Sequence, residues 1–263
     1  MAGSYGPAAD RRRANQTVER EMRTESLRPA AFFVGHIVAL CLLYISYLIA
    51  RGVIAGHIDV QQAVERSQDI AELERQLHIS FERPLQSLAM QMPLVVSLLN
   101  VIYIWGHVPF LVGEFVWLYF KSRGWFAVLR NGLLLSAIPS LILYIMLPTA
   151  PPRLNPQLNL VDTVSGPSHS NYFVQPHIFA NHFAAVPSMH VGWALAAGLA
   201  AFLAMDKSRW RWLGPAMPAA MTVSVMGTAN HYMLDWVIGC AIAAASFWIA
   251  WLWQRRRERA QSS

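Results

Sequence analysis

Six apolar runs, at about residues 30–50, 88–120, 126–147, 184–204, 212–230 and 233–253, leave this chain few ways to fold. All but the long second run are close to the roughly 20 helical residues that cross a hydrocarbon layer about 30 Å thick. Backbone groups inside hydrocarbon must be satisfied within the protein, which admits helices or a closed barrel. These runs are continuously apolar and do not alternate, so they are helices. The expected fold class is all-α: a polytopic membrane bundle of six helices. The 14% of charged residues and the ten Trp suit that class better than a soluble domain.

Three regions follow from the run boundaries. Residues 1–29 are polar and Arg-rich and are expected to form a disordered basic cytoplasmic tail. Residues 30–253 form a single membrane catalytic domain, and 254–263 a second basic cytoplasmic tail. The first run, Ala30 to Ala50, is too long for a signal-peptide core and lacks a small-residue cleavage site, so it is read as a retained span. The second run carries Pro93 and Pro109, and a kink or tilted entry is expected there. Between the first two runs, Val60, Val64, Ile70, Leu73, Leu77 and Phe81 recur among Glu, Arg and Gln. That spacing predicts an amphipathic helix lying along the membrane interface.

The net charge of +6 does not point to nucleic acid, because the cations flank apolar runs as topology signals. Sixteen of the 21 Lys and Arg fall in the N-terminal tail, the turns after the second and fourth runs, and the C-terminal tail. Six spans then put both termini in the cytoplasm and the mouths bearing His190 and His231 on the extracytoplasmic face of the cell membrane. Cys41 and Cys240 lie inside apolar runs and read as small hydrophobes.

Ionisable groups at the mouths of apolar helices are costly unless they have a function. His231 and Asp235, four residues apart, share a helical face. The carboxylate can accept a hydrogen bond from one imidazole nitrogen, leaving the other free to attack. In Pro187-Ser188-Met189-His190, Ser188 is placed to cap the fourth helix and, with the first free N–H groups, to bind an anionic oxygen. His190 in the first turn can protonate a leaving oxygen and then deprotonate an acceptor. Arg153, in Pro148-Thr149-Ala150-Pro151-Pro152-Arg153, can bind phosphate oxygens through its fork, or pair with Asp162. Asn230 orients substrate or ends the fifth helix. Asn100, Tyr103, His107 and Glu114 fall near one stripe of the second run, and His107 is a candidate substrate-binding residue there. His169, His177 and His182 have no metal-site spacing; no metal and no cofactor are expected.

These segments resemble the type 2 phosphatidic acid phosphatase superfamily, whose signature is K-x6-R-P, then P-S-G-H, then S-R-x5-H-x3-D on a six-helix membrane core. The resemblance covers roughly residues 90–250. It implies His231 as a nucleophile forming a phosphohistidine, Asp235 as its partner and His190 as acid and base, with Ser188 and Arg153 on phosphate oxygens.

Four positions depart from the signature. Met146 stands for the lysine, Leu154 for the proline after arginine, Met189 for glycine and Val225 for the arginine after Ser224. A phosphomonoester dianion needs more positive charge than a diester monoanion, so losing two cations favours a diester donor.

The Pro-Ser-Met-His, His-Tyr-x2-Asp and Ala-Pro-Pro forms are similar to the inositol phosphorylceramide synthase branch. That implies headgroup transfer from a lipid phosphoester to inositol or another polyol, among membrane lipids and without nucleic acid. Arg51, Arg75 or Arg83 can restore the missing charge, and a lipid phosphate phosphatase is then the alternative. A non-catalytic lipid-binding or lipid-transport protein is the alternative from another class.

Overall fold

A computed structural model describes residues 34–42, 44–164 and 183–262. The proposed basic tail at 1–29 and the loop histidines His169, His177 and His182 lie outside the described residues. The chain divides into two compact units, Met1–Ser46 and Tyr47–Ser263, and the second contains both histidine-bearing segments. Helix α1 (Val34–Ala55) reaches across that division. Then come α2 (Val60–Gln76), α3 (Glu82–Met90), α4 (Pro93–Val101) and α5 (His107–Lys121), followed by α6 (Arg123–Met146), α7 (Met189–Ala204), α8 (Ala216–Gly227) and α9 (Met233–Ser262). Among the described residues the only β-type pairing is an isolated bridge between Thr149 and Ala184. The all-helical expectation holds for the described part of the chain.

Four helices are long and apolar enough to cross a membrane: Val34–Ala55, Pro93–Lys121, Arg123–Met146 and Met233–Gln261. They mark the chain as a membrane protein. The fourth and fifth apolar runs form shorter helices, α7 with 16 residues and α8 with 12, about 24 Å and 18 Å long at about 1.5 Å per residue. The stretches 183–188 before α7 and 228–232 between α8 and α9 are irregular and carry the polar residues of interest. Outward-facing Val112, Val116, Phe120, Ile138, Ile142, Ile145, Trp248 and Ile249 leave large apolar side chains exposed, as a lipid-facing surface requires.

Each deviation from a plain helix has a local cause. The second run breaks at Gln91–Met92 because Pro93 starts α4 at a position where its missing N–H costs nothing. Just before Pro109 the helix widens into a π-turn, Ile102–Gly106. A proline nitrogen cannot close the usual bond to the carbonyl four residues back, and π-turns concentrate at functional sites. The π-turn also shifts the phase of the stripe read from sequence. Ser122 caps α6 by accepting from the Trp125 N–H. Helix α9 continues through Arg255–Arg259, so the basic C-terminal segment is an extension of the helix.

Helix α2 is amphipathic, with its apolar side outward. Val60, Leu73 and Leu77 are exposed, as is Phe81 beyond its end, while Ala63, Ser67 and Glu74 are buried. Its inner face docks on the loop after α6 through the Ala150 N–H to Ala63 carbonyl bond (3.0 Å).

Helix α9 packs most extensively on α6 and α7, and a buried apolar cluster of Val191, Ala194, Met221, Val225 and Met226 joins α7 to α8. Glycines set the closest approach. A Cβ at Gly192 would stand 2.6 Å from the Gly239 carbonyl oxygen, and one at Gly239 would overlap the Ser188 carbonyl, whose carbon lies 2.8 Å away. The start of α7 therefore rests directly on the backbone of α9. Gly239→Ala is expected to force this contact apart, at about 1–3 kcal/mol for overpacking. Thermal unfolding in detergent micelles should show a lowered melting temperature; a wild-type value would contradict the close backbone approach.

Candidate active site

The turn after α8 delivers His231. Ala229 takes a left-handed backbone conformation (φ 54°), unusual for a residue with a Cβ, and the Asn230 N–H closes on the Val225 carbonyl at 2.9 Å. His231 thus precedes α9, and its spacing to Asp235 spans the start of the helix. Its Nδ1 lies 2.9 Å from the Ala185 carbonyl oxygen and 3.4 Å from Asp235 Oδ2. A carbonyl oxygen only accepts, so Nδ1 carries the proton and Nε2 keeps its lone pair. Asp235 Oδ2 also accepts the Tyr232 N–H at 2.9 Å. The expected carboxylate contact is present, but the shorter bond fixing the tautomer goes to Ala185.

The segment before α7 faces this histidine. The Ser188 N–H donates to the Asp235 carbonyl at 3.0 Å. Ser188 begins α7, yet its side chain makes no capping bond. Its Oγ is buried without a hydrogen-bond partner among the described residues, while its backbone N–H is turned toward α9. One turn in, the partly exposed His190 ring stands 6.1 Å from the His231 ring between centres. Tyr103 (4.9 Å) and His107 (5.0 Å) pack against its other sides.

Arg153 reaches the same place from the loop after α6. Its Nε donates to Asn230 Oδ1 at 2.9 Å and an Nη to Asp162 Oδ2 at 2.7 Å. Asn230 in turn donates to Thr228 Oγ1 at 2.6 Å. Asn230, read from sequence as a substrate contact or a helix end, orients the arginine. The Asp162 pair weighed as an alternative is present, and it holds the guanidinium beside the histidine turn.

The polar stripe of the second run separates into different contacts. Asn100 holds the loop at Thr163, donating to its carbonyl at 2.9 Å. Tyr103 and His107 border His190. Glu114 Oε1 is buried with no hydrogen-bond partner among the described residues. Of the three arginines offered as substitute cations, Arg75 is exposed and bound to Glu72, and Arg83 donates to the Leu158 carbonyl at 2.5 Å. Arg51 lies over the Tyr144 ring at 5.6 Å and within electrostatic reach of His107 and His190. Met146 is 63% exposed, and Val225 is fully buried in the core, so neither position offers the site a polar group.

Sequence reasoning missed the residues that support the His231 turn from distant segments. The Tyr232 hydroxyl meets Ser67 Oγ at 2.6 Å and accepts from Asn155 Nδ2 at 3.2 Å; burial pushes its phenol up from the ordinary tyrosine range. Glu74 and Glu82 bind the first amides of α9. No local periodicity marks contacts between segments so far apart along the chain.

A family model for the PAP2 superfamily matches residues 68–249. The chain belongs to the PAP2 superfamily. That superfamily comprises phosphatases and phosphotransferases acting on lipid phosphoesters, and the match takes in both histidines, Asp235 and Arg153. No curated protein and no solved structure matches the chain. Arg153→Lys should lower phosphoester turnover at least tenfold in kcat/KM. An ammonium lacks the planar fork that reaches Asp162 and Asn230 together. Steady-state kinetics on a soluble phosphoester decide it, and undiminished turnover would remove Arg153 from the site.

Proposed function

We propose that this PAP2-superfamily protein is an integral-membrane phosphotransferase that moves a lipid headgroup phosphoester through a phosphohistidine on His231. The observation that carries the proposal is the His231 ring, its Nδ1 committed to the Ala185 carbonyl and Asp235, with a second histidine across the gap. In the first half, His231 Nε2 attacks phosphorus and the bond to the leaving oxygen breaks. His190 gives that oxygen a proton. In the second half, His190 takes the proton of an acceptor hydroxyl, whose oxygen attacks phosphorus and releases His231. Asp235 stabilises the imidazolium between these events. Arg153, the Ser188 hydroxyl and the first N–H groups of α7 hold the phosphate oxygens, and His107 borders the headgroup.

Six membrane spans, with the site at the outer leaflet and both termini cytoplasmic, fit the positive charge that flanks the far ends of α5, α7 and α9. The exposed Val60, Leu73, Leu77 and Phe81 fit α2 and its exit turn lying in the interface with their apolar side toward lipid. A diester donor such as an inositol-phosphate-type headgroup is favoured because positions 146 and 225 bring no cation. The observation that favours a lipid phosphate phosphatase instead is Arg51, which adds positive charge near His190.

Purified protein incubated with a panel of phospholipids, with and without inositol, separates the two. Diacylglycerol appearing with a new phosphoinositol product is expected, and turnover should survive EDTA. Release of inorganic phosphate alone would overturn headgroup transfer in favour of the phosphatase.

The histidine roles are separable as well. His231→Ala should abolish both turnover and any acid-labile phosphoenzyme. His190→Ala should retain phosphoenzyme formation from a nitrophenyl phosphoester, whose leaving group needs little proton donation. The opposite pattern in a phosphoenzyme trapping assay would reverse the two roles.

A further inference from the structure

Three carboxyl groups converge on the first turn of α9. Glu82 Oε1 accepts the Met233 N–H at 3.0 Å, Glu74 Oε1 the Leu234 N–H at 2.7 Å, and Asp235 Oδ2 the Tyr232 N–H at 2.9 Å. The first amides of a helix have no partner within it and carry partial positive charge, so they suit carboxylates. Two of these carboxylates come from other elements, α2 and α3, and they are buried, with Glu74 0% and Glu82 4% exposed. Buried like charges this close cannot all ionise. Burial first, and then the neighbouring Glu82, push the Glu74 carboxyl up to about 9. Burial also raises Glu82.

The charged and titratable groups facing Glu74 are Glu82, Asp235 and the Tyr232 phenol; those facing Glu82 are Glu74 and Asp235. Beyond Asp235 lies His231. The same first turn supplies the carbonyl that receives the Ser188 N–H. A displacement of this turn therefore moves the His231 partner and the start of α7 together.

We propose that Glu74 and Glu82 are positioning residues: two buried carboxyl groups, brought by α2 and α3, that hold the first turn of α9, and with it Asp235 and His231, in register with Ala185 and Ser188. This rests on the phosphohistidine reading for its effect on rate, but not for the proton held by Glu74. With Glu74 protonated, Glu82 and Asp235 place at most two negative charges against the helix start. Loss of that proton adds a third beside Asp235, and the repulsion is relieved by separating α2 and α3 from α9.

The test uses the full chain in detergent micelles. Glu74→Ala should lower kcat at pH 7 at least tenfold while changing KM less than threefold. Glu74→Gln should recover much of that loss, because its carbonyl accepts the Leu234 N–H and its amide is uncharged, as the protonated carboxyl is. In the wild type, kcat should fall as the pH rises toward 9, and in Glu74→Gln that limb should move up by at least one pH unit. A wild-type kcat in Glu74→Ala, or an unmoved alkaline limb in Glu74→Gln, would overturn the positioning role.

Thermal unfolding reads the proton without any turnover. The unfolded carboxyl titrates near 4.5 and the folded one near 9, so the folded state binds more protons in between and wild-type stability falls across that window. The melting temperature of Glu74→Gln minus that of the wild type should therefore increase from pH 5 to pH 8.5. A difference that stays flat with pH would overturn the proton held by Glu74. Should no phosphoester be turned over at all, the enzyme reading fails and the unfolding series still decides the pair.

Discussion

The contact on which the site depends is between backbones: the Ser188 N–H on the Asp235 carbonyl, with Gly239 directly beneath Ser188. It joins the two segments that carry the histidines. His190 follows Ser188 by two residues and His231 precedes Asp235 by four, so one hydrogen bond sets the relation between them. Ala185, three residues before Ser188, is thereby carried to His231 Nδ1. Only glycine at 192 and 239 lets α7 and α9 come this close, since any Cβ would occupy the space of the partner's backbone.

A second constraint is the irregular chain around this contact. In a membrane bundle, backbone that is not helical is tolerated where protein covers it and supplies partners. Here those partners are other loops. Thr149 pairs with Phe183 and Ala185, and the Arg153 N–H with the Ala229 carbonyl, while Tyr144 Oη donates to the Pro187 carbonyl. Shortening α7 and α8 frees the irregular segments 183–188 and 228–232 to meet. Helices α2 and α3 close the arrangement from the side, with small and polar residues inward, and Gln86 exchanges two hydrogen bonds with Val161.

Charge around the site follows the same logic. Arg153 is held between an amide and a carboxylate, and this orients its guanidinium and partly neutralises it. Arg51 adds a second cation on the side of His190 and His107. The carboxyls of Glu74, Glu82 and Asp235 sit on the opposite side, at the start of α9, where the helix N-terminus attracts them. Positive charge thus lies beside Asn230 and on the side of His190, and carboxyls at the start of α9.

The helical class, the approximate spans and the groups able to do chemistry were legible in the sequence because length, apolarity and motif order are properties of neighbouring residues. The break at Pro93 and the disturbance before Pro109 were legible for the same reason, since a missing N–H acts within one turn. Other features needed the folded chain. Ser188 was expected to cap α7 and does not, and its backbone N–H is turned toward α9. Asn230 serves Arg153, and the nearer partner of His231 Nδ1 is a carbonyl 46 residues away, ahead of the carboxylate four residues on. The apolar side of α2 faces outward because what it meets inside is a loop and a helix end with unsatisfied amides. Amphipathic spacing alone cannot tell which side finds the protein. By itself, the sequence determined the helical class and the motif order by which the chain resembles its superfamily. Tertiary structure decided which oxygen holds which nitrogen, because those choices turn on ångström distances between segments that local patterns do not relate.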